Sequence, residues 1–243
     1  MTRRLRTPVC DLLGIDLPLA GLPHSVAASA AISRAGGFGV YAATRDTPEE
    51  IADRGAELVA AAGGRATGID LLLPKLAVET GDRAASEAAI PDAHRAFVAG
   101  LRDKYAVPPA SRQGFRNRQV RSEALWEAQI AAVLATQTEV FACGVGISAA
   151  VVARAKAAGK PTLAVVGAPR HAEKAVACGV DVLVAQGADA GGHTGTIGTM
   201  VLVPQVVKAA GGIPVFAAGG SATGDQLAAA LAMGAQGVWM GTV

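Results

Sequence analysis

The chain has 243 residues, of which 51% are hydrophobic and 17% are charged, and it carries a formal net charge of +2. This length suits one large domain or two small ones, while the low net charge and an aromatic content of 4% argue against nucleic acid as a partner. The three cysteines form no CxxC pair and no sustained apolar segment follows the N-terminal arginines, so we expect a cytoplasmic protein with no signal peptide and no membrane association.

Eight short apolar runs, rich in valine, isoleucine and leucine, are predicted to form strands. In chain order they are Ile15–Ala20, Phe38–Ala42, Gly68–Leu73, Glu139–Cys143, Pro161–Val166, Val180–Gln186, Ile213–Ala217 and Gly237–Met240. Nearly continuous apolar character is typical of strands that are covered on both faces. The sequence therefore indicates a parallel sheet with helices packed against it.

Alanine-rich segments between these runs are predicted to form helices. Thr47-Pro48-Glu49-Glu50 combines an N-cap residue, a proline at the first helical position and acidic residues in the first turn, so a helix should run from there to about Ala62. Glycines after Ala35 and Ala158 are typical of helix ends. The other helices are expected at Ser25–Ala35, Ser122–Thr136, Ser148–Ala158, Pro169–Cys178, Pro204–Ala210 and Gly224–Met233.

The alternation of strands and helices predicts parallel strands joined by helical crossovers. Eight strands in 243 residues match an α/β fold of the (β/α)8 TIM barrel type, and a doubly wound open sheet is the alternative. We expect one domain over residues 1–243, with an insertion or lid at about 74–121 after the third strand, helical around Pro91–Lys104. No eighth helix follows the last strand, and three explanations stay open: a truncated chain, completion by a partner, or a less stable domain.

Glycine-rich segments follow three successive predicted strands. AQGADAGGHTG spans residues 185–195, Gly219-Gly220 follows the seventh strand, and Gly241-Thr242 follows the eighth. Glycine lets backbone N–H groups approach a flat or anionic ligand closely, and the loops after strands 7 and 8 form the usual phosphate site of this fold. Each segment alone is compatible with a tight turn, but the three together indicate one phosphorylated cofactor at the carboxyl ends of the strands.

His193 is the candidate catalytic residue at the carboxyl ends of these strands. A lone histidine is more commonly a core or capping residue, but His193 lies between Gly192 and Thr194 and has no apolar neighbour. An imidazole can remove a proton from an acidic carbon near neutral pH. The His, Cys and Asp residues have no metal-ligand spacing, so we expect no metal. GVGISA at 144–149 lacks the downstream acidic residue that a dinucleotide-binding fingerprint requires.

The segments AQGADAGGHTG, VFAAGGSATG and GAQGVWMGT, with RAGGFGVYAAT near the start, resemble the nitronate monooxygenase (2-nitropropane dioxygenase-like) flavoproteins. The likeness extends over most of residues 14–243. It implies an FMN-dependent barrel enzyme that oxidises alkyl nitronates or nitroalkanes with O₂, with His193 as the general base. The residues that the resemblance implies for FMN binding are Gly21, Asp70, Gln186, Gly191, Gly192, Gly219, Gly220, Trp239, Met240, Gly241 and Thr242.

Asp70 departs from this family pattern, which often has asparagine at the strand-3 position. An anion beside bound flavin would disfavour its reduced, negatively charged form unless the carboxylate is paired. Two other functions fit the same motifs. One is an NAD(P)H-dependent flavin reductase of enoyl-thioester or quinone substrates, which the GGH segment also resembles. The other is a truncated, non-catalytic barrel that binds a phosphorylated ligand, and a homo-oligomer stays open in each case.

Overall fold

The computed structural model describes residues 5–73, 83–109 and 122–241. Its strands are β1 (Leu19–Gly21), β2 (Phe38–Ala42), β3 (Thr67–Leu72), β4 (Val140–Gly144), β5 (Thr162–Val166), β6 (Val182–Gln186), β7 (Val215–Ala218) and β8 (Gly237–Met240). All are parallel, each pairs with the next along the chain, and β1 pairs with β8 to close a barrel. This order confirms the predicted TIM barrel and excludes the doubly wound sheet.

Helices alternate with the strands. They are α1 (Pro8–Leu13), α2 (Val26–Arg34), α3 (Pro48–Ala62), α4 (Arg83–Ala88), α5 (Asp92–Lys104), α6 (Glu123–Ala135), α7 (Ala149–Ala157), α8 (Pro169–Ala177), α9 (Thr199–Ala209) and α10 (Gly224–Ala232). At the start of α3, Glu50 N donates to Thr47 Oγ1 at 3.1 Å and Thr47 N donates to Glu50 Oε2 at 2.9 Å. This capping box explains why the helix begins where the sequence predicts it.

The N-terminal segment differs from the prediction. Residues 8–13 form α1, which the sequence analysis did not include, and the first strand begins at Leu19 rather than Ile15. Gly14 ends α1 in the left-handed conformation with a φ of 67°. The N–H groups of Asp16 and Leu17 donate to the carbonyl oxygen of residue 36 at 2.9 Å. These hydrogen bonds hold the segment against the turn before β2 and outside the strand ladder of the barrel.

The start of α9 also differs from the prediction. The helix begins at Thr199, well before Pro204, which was predicted as its first residue. Pro204 lies inside the helix although it lacks the N–H that an interior position uses. The N–H of Thr199 donates to Asp189 Oδ2 at 2.7 Å. A side chain from the preceding loop therefore starts the helix earlier than the proline indicated.

The buried side chains form two apolar clusters, because successive residues of a strand point to opposite faces. The inner cluster combines α1 with alternate strand positions and contains Val9, Cys10, Leu13, Ile15, Ala20, Phe38, Val40, Val140, Ala142, Leu163, Val182, Val184, Phe216, Ala218 and Trp239. The outer cluster packs the strands against the surrounding helices. Thr7 Oγ1, just before α1, donates to Gln236 O at 2.6 Å, just before β8. α1 therefore closes the amino end of the barrel.

The chain divides into two compact units. The first comprises residues 1–74 and 129–243 and contains the barrel, and the second comprises residues 75–128. The predicted helix in the second unit is present as α5. Phe97 of this helix is 67% exposed, and none of the residues of α5 is buried. That the insertion acts as a lid stays a prediction. In the part of the chain that the structure describes, no helix is both long and apolar enough to cross a bilayer.

Candidate functional site

Most of the predicted site residues lie at the carboxyl ends of four adjacent strands. β6, β7, β8 and β1 follow one another in the barrel. Gln186 is in register with Ala218, and Met240 is in register with Gly21. The three glycine-rich segments therefore share one rim, the end of the fold at which TIM barrels carry their chemistry. Thr242 lies outside the described residues.

The segment that joins β6 to α9, called here the β6–α9 loop (residues 187–198), is held between its neighbours. Gly187 N donates to Ala218 O at the end of β7, at 2.9 Å. On the other side, a Cβ atom at Gly195 would lie 2.6 Å from Gly167 O, just beyond β5. Only glycine permits this approach of two backbones. The ends of β5 and β7 thus fix the path of the loop.

Asp189 ties the same loop to α9. Its Oδ2 accepts the hydrogen bond from Thr199 N, and this bond lowers the pKa of the Asp189 carboxyl. Thr199 Oγ1 in turn donates to Ala218 O at 3.5 Å. The N-cap residue of α9 is Gly198, which has no side chain to cap the helix, so the carboxylate from the loop takes that role. This carboxylate cap was not predicted from the sequence, although Asp189 lies inside the glycine-rich segment.

The glycines of the rim fall into two groups. Gly219 has a φ of 113°, and a Cβ there would lie 2.5 Å from Thr199 Oγ1, so the fold itself requires glycine. Gly220 has a φ of 72°. Gly191 and Gly241 lack a positive φ, and a Cβ at either would meet no described atom within 4 Å apart from its chain neighbours. The packing of the described residues therefore does not require glycine at these two positions.

His193 lies in the β6–α9 loop with an exposed side chain. It follows Gly192, whose φ is 80°. Gln186, half-buried at the end of β6, donates from Nε2 to Gly191 O at 3.4 Å. Within the described ranges, no hydrogen bond to another residue fixes the imidazole. His193 thus shares a loop with the open glycine and is accessible to a ligand.

Trp239 is buried in the inner cluster, with 7% of its surface exposed. Its ring meets the Phe216 ring edge to face, with centroids 6.4 Å apart and planes at 61°. Met240 packs instead against the outer cluster, and its carbonyl oxygen accepts from Leu22 N at 3.2 Å. Trp239 therefore has a packing role that the sequence analysis did not include. Its contact with a cofactor, and that of Met240, stay predictions.

Asp70 lies inside the barrel, near the end of β3. Its neighbours in register are Ala42 of β2 and Ala142 of β4, and Ala142 belongs to the inner cluster. Asp70 is 3% exposed, and within the described part of the chain its Oδ1 has no hydrogen-bond partner. Burial raises the pKa of the carboxyl to about 7. A buried polar atom without a partner is rare, which distinguishes Asp70 from the apolar positions around it.

A polar network that the sequence analysis did not identify supports the end of β2. Tyr41 Oη donates to Asp46 Oδ2 at 2.7 Å, and Arg54 contacts both side chains, reaching Asp46 Oδ1 at 3.1 Å. Burial and the Asp46 hydrogen bond raise the pKa of Tyr41 to about 12. Gln129 Nε2 donates to Asp46 O at 2.8 Å. Charged residues near the start of a helix are usually solvated. The sequence therefore does not predict this network, and only the three-dimensional contacts reveal it.

Comparison with known proteins yields a family and several relatives. A family model described as nitronate monooxygenase matches residues 10–243. The protein Rv1533 of Mycobacterium tuberculosis, which is named as a proposed monooxygenase, is 38% identical to this chain. The match covers 98% of this chain and 66% of the length of Rv1533. From the same organism, (3aS,4S,5R,7aS)-5-hydroxy-7a-methyl-1-oxo-octahydro-1H-indene-4-carboxyl-CoA dehydrogenase is 34% identical over 98% of this chain and 55% of its own length. The chain thus spans less than two thirds of these relatives.

Solved structures share the fold over nearly the whole chain. Nitroalkane oxidase from Streptomyces ansochromogenes matches with a TM-score of 0.76 and 30% identity, covering 96% of this chain and 66% of the other. FabK from Thermotoga maritima matches with a TM-score of 0.72 and 26% identity, covering 97% of this chain and 61% of the other. The cytoplasmic location and the homo-oligomer are outside what these likenesses address, and both stay predictions.

Proposed function

Because the chain belongs to the nitronate monooxygenase family, we propose that it is an FMN-dependent oxidoreductase that oxidises alkyl nitronates or nitroalkanes with O₂. At the level of the family, the comparisons confirm the oxidoreductase class and FMN as the cofactor. The observation that carries the proposal for this chain is the rim of glycines after β6, β7 and β8. Gly191 and Gly241 there leave space that a Cβ atom would fill.

The residues of this rim fit FMN. The phosphate of FMN is anionic and its ring system is flat, so both favour close backbone approach over bulky side chains. The rim provides that approach along three adjacent strands. Bound FMN supplies the electron-accepting chemistry that side chains lack. The described residues that would hold it are those of the rim and of the neighbouring β1: Gln186, Gly191, Gly192, Gly219, Gly220, Met240, Gly241 and Gly21. Thr242, which the resemblance also implies, lies outside the described residues.

His193 supplies the proton transfer in this proposal. Its imidazole is exposed in a loop whose two ends are fixed by backbone and side-chain hydrogen bonds. A neutral nitroalkane must lose a proton from the carbon that bears the nitro group before that carbon gives up electrons. A nitronate has already lost this proton. His193 therefore acts as a general base on nitroalkanes and is less important for nitronates.

The different need for a base in the oxidation of nitroalkanes and of nitronates is the basis of the test. The purified protein should be yellow and show oxidised-flavin absorption bands, and His193→Asn should slow nitroalkane oxidation by roughly 10²–10⁴-fold, the usual contribution of a general base. Oxidation of the matching nitronate should change far less. His171→Asn, on an exposed position of α8, is the control. A His193 variant that oxidises nitroalkanes at the wild-type rate would remove the base role, and a protein that stays colourless after incubation with FMN would remove the cofactor.

A second candidate is favoured by one relative, the carboxyl-CoA dehydrogenase, which is similar over 98% of this chain. In this alternative the chain is an NAD(P)H-dependent flavin reductase of enoyl-thioester or quinone substrates. Anaerobic mixing separates the two: rapid bleaching of the flavin by NADH favours the reductase, and bleaching only by a nitronate favours the monooxygenase. A melting temperature that FMN does not raise would favour the non-catalytic barrel, because a tightly bound ligand stabilises the folded state.

A further inference from the structure

Asp70 is a buried titratable residue to which the proposal above gives no task. Ile69 and Leu71 on either side belong to the outer cluster, so the alternation of β3 turns the Asp70 side chain toward the barrel interior. It lies there beside two alanines, Ala42 and Ala142, and no described residue is a hydrogen-bond partner of its Oδ1. Buried carboxyl oxygens are normally satisfied by a donor or by a charge. The position therefore points to a ligand group as the partner.

The surroundings of Asp70 offer no described charge to balance an anion. The titratable residues of the adjacent strands are Tyr41 of β2 and Cys143 of β4, which both belong to the outer cluster. Burial raises the pKa of each, so both are neutral near pH 7. α2 and α3 also contact β3, and their charged residues are Arg34, Glu49, Glu50, Asp53, Arg54 and Glu57. None of these contributes to the raised pKa of Asp70, which burial alone causes.

The protonation state decides what Asp70 can offer to a cofactor. A carboxylate only accepts hydrogen bonds, whereas the acid form also donates one. We propose that Asp70 binds FMN as a neutral carboxylic acid that donates a hydrogen bond to the cofactor, a role that rests on the proposed FMN function. In this form Asp70 has the hydrogen-bonding capacity of an asparagine, a donor and an acceptor, and places no charge beside the cofactor. Ionisation of Asp70 then opposes FMN binding.

The size of the effect follows from linkage. Because the pKa of Asp70 in the free protein is about 7, the acid dominates at pH 6 and the carboxylate at pH 8.5. If only the acid form binds FMN, the apparent Kd rises by the factor 1 + 10^(pH − pKa). This amounts to about a 30-fold rise between pH 6 and pH 8.5, and to about 4-fold by pH 7.5. An asparagine at the same position has no proton to lose in this range.

The experiment compares the wild type with Asp70→Asn and with the control Asp53→Asn, an exposed position of α3. Each protein, freed of bound flavin, is titrated with FMN at pH 6, 7.5 and 8.5, and binding is followed by the quenching of flavin fluorescence. Circular dichroism at each pH establishes that the free protein is folded. If the wild type unfolds at pH 8.5, the values at pH 6 and 7.5 carry the comparison. Effects of pH on FMN itself cancel in the ratio of wild-type to variant Kd.

Between pH 6 and pH 8.5 we expect the Kd of the wild type and of Asp53→Asn, each divided by the Kd of Asp70→Asn at the same pH, to rise about 30-fold. Parallel pH profiles for all three proteins would overturn the role of Asp70 and leave the FMN function intact. Tighter wild-type binding at high pH, or weak binding of Asp70→Asn at every pH, would overturn it in favour of an ionised carboxylate. Absence of FMN binding by every protein at pH 6 would refute the proposed function itself.

Discussion

Replacement of Gly191 by alanine tests whether the open glycine of the rim serves a ligand. The backbone at Gly191 lies outside the left-handed region, and a Cβ there has no described atom within 4 Å beyond its chain neighbours. Alanine should therefore leave the fold unstrained, and the stiffer unfolded chain should add about 0.5 kcal/mol to stability. A cofactor that approaches this backbone meets the new methyl group, so we expect FMN affinity to fall at least about tenfold, or about 1.4 kcal/mol.

Gly219→Ala is the matched comparison for stability, because a Cβ atom there meets the protein itself rather than open space. Gly219 has a φ of 113°, and a Cβ would lie 2.5 Å from Thr199 Oγ1 and 3.1 Å from Ala190 N. A non-glycine residue held in such a conformation costs about 1–3 kcal/mol. In a chain of this length, a loss of about 2 kcal/mol lowers the melting temperature by roughly 4–8 °C.

Thermal unfolding of the flavin-free proteins and FMN titration at pH 6 measure the two effects separately. Gly191→Ala should melt at or slightly above the wild-type temperature and bind FMN poorly. If this variant binds FMN as tightly as the wild type, the open space does not serve the cofactor. If it melts as low as Gly219→Ala, the inference of free space from the backbone geometry is wrong.

Two further substitutions test the electrostatics of the site. Burial raises the pKa of Asp70 from 3.8 to about 7, so the folded state holds a proton that the unfolded state has lost, and the stability of the wild type falls as pH rises between these values. Asp70→Asn should gain roughly 4 kcal/mol relative to the wild type between pH 4 and pH 8, measured by urea unfolding, and parallel stability curves would contradict this. The pKa of Asp189 is lowered by its bond to Thr199, so its contribution is present at neutral pH and is lost as pH falls through the folded-state pKa. Asp189→Ala should melt below the wild type at pH 7, with a difference that shrinks in acid; an equal difference at both pH values would exclude the carboxylate as the cap.

The sequence predicted the barrel well because its strands are apolar runs between clear turn residues. The second and eighth strands begin and end where predicted, at Phe38–Ala42 and Gly237–Met240. The first strand was misplaced, since Ile15 is as apolar as a strand residue but packs with α1 in the inner cluster. Periodicity alone does not separate a barrel strand from a segment that closes the barrel end, because both bury the same kinds of side chain.

The site was predictable in part. The three glycine segments revealed the rim, because glycine after a strand is a local signal that does not depend on distant contacts. The carboxylate cap at Asp189 was not predictable, since its acceptor role depends on where α9 begins, and Pro204 indicated a later start. The unpaired oxygen of Asp70 could not be foreseen either. It depends on which side chains of β2 and β4 stand beside it, and a single strand does not contain that information.

The bond between Thr7 and Gln236 joins residues that are 229 positions apart, and the same closure brings Val9 and Leu13 into one cluster with Trp239. During synthesis α1 emerges from the ribosome long before β8, against which it packs. The apolar side chains of α1 therefore stay exposed until β8 has been synthesised. Contacts of such long range form slowly, so α1 reaches its packed position only after β8 has been synthesised.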